Sequence, residues 1–150
     1  MEWDKLWSIN KKIIDPVCPR HTAICEGRIM VTLANGPEKP FVRSMPRHKK
    51  FEGAGYKCTT YTRNIWIDRA DAVMISVDEE VTLMDWGNAI IKQIQRDEAG
   101  NVVHLMGILH LGGSVKTTKL KLTWLPMVDE LVELQLVKFD YLITKRKMVF

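Results

Sequence analysis

The sequence has no long apolar run. Hydrophobic residues fill 46% of its 150 positions, but the uninterrupted stretches are short of the roughly 20 residues needed to cross a bilayer. The opening MEWDKLWSINKK carries acids and lysines where a secretory signal would need an apolar segment. Cysteine is scarce. Cys18, Cys25 and Cys58 make an odd, irregularly spaced set of three, which excludes the disulfide framework of a small secreted domain and points to reduced thiols in the cytosol. Cys18, His21 and Cys25 lie close together, but without a CxxC or a second ligand pair no metal is expected.

Catalytic signatures are missing too. There is no GxSxG, P-loop, dinucleotide glycine fingerprint or HExxH. Glu52-Gly53-Ala54-Gly55 is glycine-rich, yet no strand-to-helix context surrounds it, so it reads as a flexible loop. Asp78-Glu79-Glu80 reads as a solvated turn before a strand. His104 and His110 fall on one face of a regular strand, as core or surface residues rather than ligands. No nucleophile, base and orienting group stand at a recognisable spacing.

What is present is a short helix followed by β patterning. Trp3, Leu6, Trp7, Asn10, Ile13 and Ile14 recur at helical spacing, with Lys5, Lys11 and Lys12 opposite. Asp15-Pro16 ends the helix, because the residue before proline is pushed out of the α region. So short a helix is marginal alone, and its apolar stripe is expected to dock on a larger body. Short β segments follow at His21–Cys25 and Ile29–Leu33. Residues 34–58, rich in proline and glycine and carrying Arg43, Arg47, His48, Lys49 and Lys50, read as a long loop of the kind that is usually functional or mobile.

Strands then run over Thr62–Ile67, Glu80–Trp86, Ala89–Arg96, Val102–Leu111, Lys119–Leu125 and Leu131–Phe139. Gly87-Asn88 is expected to turn the chain, and Asp97–Asn101 to close a hairpin with Gly100 in a left-handed position. Along Ala89–Arg96, Ile91, Gln93 and Gln95 oppose Ile90, Lys92 and Ile94. Leu134, Leu136 and Tyr141 can face inward on the last strand. Close, regular strands with turns between them predict a mainly β domain, an antiparallel sandwich or barrel preceded by one helix.

The net charge is +4 and the isoelectric point about 9.0, a modest excess compatible with a nucleic-acid partner. It concentrates in three places: Arg47, His48, Lys49 and Lys50 in the loop; Lys116, Lys119 and Lys121, the last two on one strand face with Leu120 and Leu122 inward; and Lys145, Arg146 and Lys147 in the tail. Such residues would give salt-dependent phosphate contacts. Trp86, Asn88 and Tyr61 are of the kind that stack on or hydrogen-bond unpaired bases.

Several ordered blocks carry a resemblance. Met1-Glu2-Trp3-Asp4-Lys5-Leu6-Trp7, Asn10 to Arg20, Ile65-Trp66-Ile67-Asp68-Arg69-Ala70-Asp71, Val81 to Asn88, Lys116 to Leu125 and Phe139 to Lys145 together resemble the eukaryotic cytosolic glutamyl-tRNA synthetases, the plant form most of all. The resemblance implies a linker helix from the end of a preceding domain at 1–16, an anticodon-binding β-barrel at 17–144 and a truncated basic tail at 145–150. It also implies glutamate tRNA as partner, bound through Arg47, His48, Lys49, Lys50, Trp86, Asn88, Lys116, Lys119 and Lys121. The remaining implied partners are the enzyme's own catalytic domain and a multi-synthetase complex; neither DNA nor a membrane is implied.

That family's class I catalytic motifs, of His-x-Gly-His and Lys-Met-Ser-Lys-Ser type, have no counterpart here. ATP and Mg²⁺ therefore belong to the full-length enzyme, and the fragment is expected to be inactive alone. The glutaminyl enzymes share the Ile65 to Asp71 block. In their bacterial members the strand matching Glu79–Met84 carries lysine and arginine that grip the anticodon. Glu79 and Met84 stand at those places here, so those contacts do not transfer.

Overall fold

A computed structural model describes residues 3–25 and 27–137. Helix α1 (Trp3–Ile14) leads into β1 (Ile29–Leu33), β2 (Phe41–Pro46), a 3-10 turn at Glu52–Ala54, β3 (Tyr56–Tyr61), β4 (Asn64–Ile67), α2 (Arg69–Met74), β5 (Glu80–Leu83), β6 (Gly87–Arg96), β7 (Val102–His110), β8 (Lys121–Leu122) and β9 (Leu125–Pro126). Seven strands form one sheet in the order β8-β5-β6-β7-β1-β4-β9, and β2 pairs with β3 as a separate ribbon. Pairing is mainly antiparallel, as expected, but β1 runs parallel to β7 and β5 parallel to β8.

The sheet has to curl. Its two edge strands, β8 and β9, are consecutive in the chain, separated by Thr123 and Trp124 alone. Laid flat, seven strands at about 4.8 Å spacing would measure about 29 Å across. Three residue steps reach at most about 11 Å. The edges therefore come round to face each other, and Trp124 sits at the seam, only 6% exposed. Inside, the alternation of β-strands supplies the core: Ile29, Val31 and Leu33 from β1, Ile65 and Ile67 from β4, Val81 and Leu83 from β5, Leu105 from β7, with Leu122 at the seam. Each such aliphatic side chain contributes on the order of 1.5–3 kcal/mol by leaving water.

Four local expectations are corrected. Residues 34–58 are not one loop, since β2 and the first half of β3 lie there, and the two strands pair from Phe41↔Tyr61 to Pro46↔Tyr56. Pro46 is tolerated because it closes the end of an edge strand. The turn after β5 comes earlier than Gly87-Asn88. It is Met84-Asp85-Trp86, with Asp85 left-handed at φ 62°, a conformation that aspartate accepts more readily than most residues. Asn88 then pairs with Thr82 inside the sheet. On β6 the strict alternation breaks at a bulge between Ile91 and Gln93. The extra residue resets the phase, so Ile94 packs against the same core as Ala89 and Ile91.

The fourth correction concerns both chain ends. Residues 21–25 and 131–137 form no strand. Leu134 and Leu136 are exposed, and Tyr141 lies outside the described residues. Helix α1 forms as the spacing predicts, but it buries no residue, and Leu6, Trp7, Ile9, Ile13 and Ile14 stay open. The apolar stripe is thus undocked. What ties the helix down is its C-terminal end, where the Asp15 carbonyl is bonded to His48.

Candidate nucleic-acid interface

The basic loop between β2 and β3 is built around a histidine. His48 is 6% exposed. Its Nε2 donates to the Asp15 carbonyl at 2.9 Å, and its Nδ1 accepts the Lys50 N–H at 3.1 Å. One ring thus closes the loop on itself and pins it to the end of α1. The Arg20 N–H adds a bond to the Arg47 carbonyl at 2.8 Å, and the Arg47 N–H bonds to Gly55. With the backbone fixed, the side chains of Arg47, Lys49 and Lys50 are left exposed.

Lys49 reaches the β5–β6 turn, where its Nζ lies 2.6 Å from an Asp85 carboxylate oxygen. That turn is held from below by Tyr61, whose hydroxyl donates to the Asp85 carbonyl at 2.9 Å, and by Trp124, whose Nε1 donates to the Met84 carbonyl at 2.8 Å. Tyr61, fully buried, is the hub of an aromatic cluster. It stacks on Phe41 at 5.0 Å, meets half-buried Trp86 edge-on at 5.0 Å and lies 5.4 Å from Trp124. Burial raises the phenol's pKa, an effect that the nearby Arg43 opposes and Asp85 reinforces.

At the seam a second framework holds the other lysines. Asn88 is fully buried. Its Nδ2 donates to Glu80 Oε1 and to the Ser114 carbonyl, both at 3.1 Å, and its Oδ1 accepts from the Thr82 hydroxyl at 2.8 Å. Thr82 is bonded in turn to the Thr118 hydroxyl at 2.6 Å, and His110 Nδ1 meets Glu80 Oε1 at 2.6 Å. Gly113 has to be glycine here, since a Cβ would collide with the Glu80 carboxylate and lie 2.7 Å from Asn88 Nδ2. Lys116 and Lys119 project exposed from the segment so fastened, and Lys121 Nζ turns back to the Thr118 carbonyl at 2.9 Å.

The structure therefore brings Lys49 to the β5–β6 turn that carries Trp86, with Arg47 and Lys50 exposed on the same loop. It places Lys121 beside that turn through the β5–β8 pairing of Thr82 with Lys121 and Leu83 with Leu122. His48 and Asn88 differ from the rest, because both point inward with their polar atoms engaged. Sequence reasoning missed Arg43 as a site residue, although it stood in the basic cluster; its guanidinium lies over Phe41 and Tyr61. The signal was available in Phe41-x-Arg43, two positions of one strand face. On the ribbon's other side a cleft of about 650 Å³ opens between Val42, Cys58 and Thr60 and the chain at Leu125 and Val128. None of the nine expected contact residues lines it. Among the described residues, no group of three or more His, Cys, Asp or Glu is placed to hold a metal, and no helix is long and apolar enough to cross a membrane.

Comparison with known proteins agrees with this architecture. Residues 18–110 match the family described as tRNA synthetases class I (E and Q), anti-codon binding domain. The chain belongs to that family. Over 99% of its length it is 68% identical to the cytoplasmic glutamate–tRNA ligase of Arabidopsis thaliana, covering 21% of that protein. It is 48% identical to a probable cytoplasmic glutamate–tRNA ligase of Schizosaccharomyces pombe, again over 99% of the chain and 21% of the relative. Against the cytoplasmic glutamate–tRNA ligase of Saccharomyces cerevisiae the identity is 44%, over 99% of the chain and 20% of the relative. The chain thus spans about a fifth of the length of the curated relatives it matches.

Proposed function

We propose that this anticodon-binding domain serves a cytoplasmic glutamate–tRNA ligase and holds the anticodon region of glutamate tRNA on the face that carries the β5–β6 turn. The observation that carries this reading is the contact of Lys49, from a loop that also exposes Arg47 and Lys50, with the turn that holds half-buried Trp86, in a chain 68% identical to such a ligase. Cations along the rim neutralise phosphates, and the indole offers a stacking edge to an unpaired base. Lys116, Lys119 and Lys121 extend the same positive surface along the seam. His48 and Asn88 act beneath it by fixing the two backbones.

In the whole ligase, ATP, Mg²⁺ and glutamate would be handled by catalytic motifs that this sequence does not contain, so the chain alone is expected to bind tRNA without charging it. Helix α1, with Trp7 and Ile13 exposed, is suited to meet the catalytic domain.

The test is a titration of the chain with glutamate tRNA, and with the same tRNA carrying a changed anticodon, at two salt concentrations. Binding that falls steeply with salt and weakens with the altered anticodon is expected. Salt-sensitive binding that ignores the anticodon would reduce the face to a non-specific basic surface. Affinity that does not change with salt would remove the phosphate contacts altogether.

A further inference from the structure

Arg43 occupies an unusual place among the charged residues. Phe41 and Arg43 are two positions apart on β2, and Tyr61 is the cross-strand partner of Phe41. The pleat therefore sets all three side chains on one face of the ribbon. The guanidinium carbon lies 5.1 Å from the Phe41 ring centroid and 5.3 Å from that of Tyr61. The seat is rigid, because the two rings stack with 5° between their planes and Tyr61 is fully buried and hydrogen-bonded to Asp85.

Yet among the described residues the guanidinium meets no acceptor. Among the described residues the ion pairs are Lys49 with Asp85, Lys92 with Asp78 and His110 with Glu80, and Arg43 donates no hydrogen bond. An exposed arginine held on aromatic rings, with its forked N–H donors unused, is prepared for an oxyanion. The planar fork matches phosphate in a bidentate way that a lysine cannot reproduce.

We propose that Arg43 is a fixed phosphate contact of this domain, one that grips a single phosphodiester of the bound tRNA and so sets where the strand passes Trp86. Tyr61 links the two, touching Arg43 with its ring face and Trp86 at 5.0 Å. The inference rests on the RNA-binding reading above and adds to it a defined residue and a defined chemical partner.

The experiment is a coupled substitution on protein and RNA. The chain, as wild type, Arg43→Gln and Arg43→Lys, is titrated with a synthetic anticodon stem–loop of glutamate tRNA. A series of the same RNA follows, each member carrying one neutral methylphosphonate. Arg43→Gln is expected to weaken binding about tenfold at low salt and to lower the salt slope by about 0.7–0.9. Arg43→Lys should keep the slope and lose about threefold, since the charge stays and the fork is lost. One methylphosphonate position should weaken the wild type as much as Arg43→Gln does, and leave Arg43→Gln itself indifferent.

An unchanged affinity in Arg43→Gln, with wild-type binding intact, overturns the phosphate contact alone. So does a loss in Arg43→Gln that no single methylphosphonate reproduces. Failure of the folded wild type to bind any RNA overturns the broader reading and this one with it. The methylphosphonate series on the wild type needs no protein variant, so a folding defect in Arg43→Gln does not obscure the result.

Discussion

The two basic rims of this domain are supported by opposite kinds of interior. On the ribbon side, Arg43 stands over the stacked rings of Phe41 and Tyr61, Tyr61 meets Trp86 edge-on, and Lys49 reaches Asp85 beside them from the loop that also exposes Arg47 and Lys50. On the seam side, Lys116 and Lys119 stand over a closed set of polar bonds among Thr82, Asn88, Thr118, Glu80 and Ser114. Aromatic packing is non-directional and degrades gradually as area is lost. A buried polar network is directional, and removing one member leaves the others unsatisfied. Positive charge is therefore displayed on one support that tolerates adjustment and another that does not.

The largest effect should come from removing the hub of the aromatic side. Tyr61→Ala should cost about 3–5 kcal/mol, as expected for deleting a large buried ring that the surroundings cannot refill. Urea unfolding followed by far-UV circular dichroism reads the loss. A variant that unfolds within about 1 kcal/mol of wild type, the cost of an ordinary substitution, would mean that the ribbon does not depend on this cluster. Tyr61→Phe isolates the hydroxyl bond to Asp85 and should cost about 1 kcal/mol.

Asn88→Ala tests the seam in the same way. It deletes three hydrogen bonds at a position with no exposure and leaves the Thr82 hydroxyl and the Ser114 carbonyl short of a partner. A loss of about 2–3 kcal/mol is expected. RNA affinity is then measured under conditions where the variant remains folded. Freed from its clasp, the 114–119 segment should present Lys116 and Lys119 less consistently, and binding should weaken while Arg43-dependent binding persists. Unchanged affinity would detach the seam lysines from the interface.

The strands that sequence made legible are those whose burial follows their own alternation. Ile29, Val31 and Leu33, then Ile65 and Ile67, declare an inward face without help from partners, and the Asp97–Asn101 hairpin is announced by its glycine. The β2–β3 ribbon was hidden because its prolines, glycines and cations speak for a loop, while its stabilising stack joins Phe41 to Tyr61 across the intervening loop. Neither parallel pairing shows in local pattern, since β1 meets β7 with Met30 opposite His104.

The site divides along the same line. Exposed lysines were identifiable by type and clustering. His48 and Asn88 were grouped with them, and only the distant partners Asp15 and Ser114 reveal that both face inward. The bulge between Ile91 and Gln93 likewise depends on the partner strand, because nothing in Ile91-Lys92-Gln93 marks it.

A smaller effect should come from Asp85, which neutralises Lys49 at the ribbon rim with both side chains partly in water. Asp85→Asn keeps a residue tolerant of the left-handed conformation and removes the charge. An exposed pair is worth only about 0.2–1 kcal/mol, so stability should barely move. RNA affinity should rise about two- to fivefold, with a steeper salt dependence, as Lys49 becomes available to phosphate. Affinity that falls instead would show that Asp85 contributes to recognition and is not a brake on it.

The smallest effect is one of pH, and it belongs to the seam. Hydrogen bonds from His110, then from Asn88, hold the Glu80 carboxyl below its ordinary value of 4.5. A carboxylate depressed in the folded state binds its proton more readily when unfolded, so its stabilising contribution is present above the unfolded value. That contribution is lost as pH falls through the folded one. Wild type should therefore lose stability on acidification below about pH 4.5 by slightly more than Glu80→Gln, whose amide does not titrate. The two urea midpoints should converge toward the acid end. Parallel acid profiles for wild type and Glu80→Gln would mean that the Glu80–His110 contact does not distinguish folded from unfolded chain, and the seam would then rest on Thr82, Asn88 and Thr118 alone.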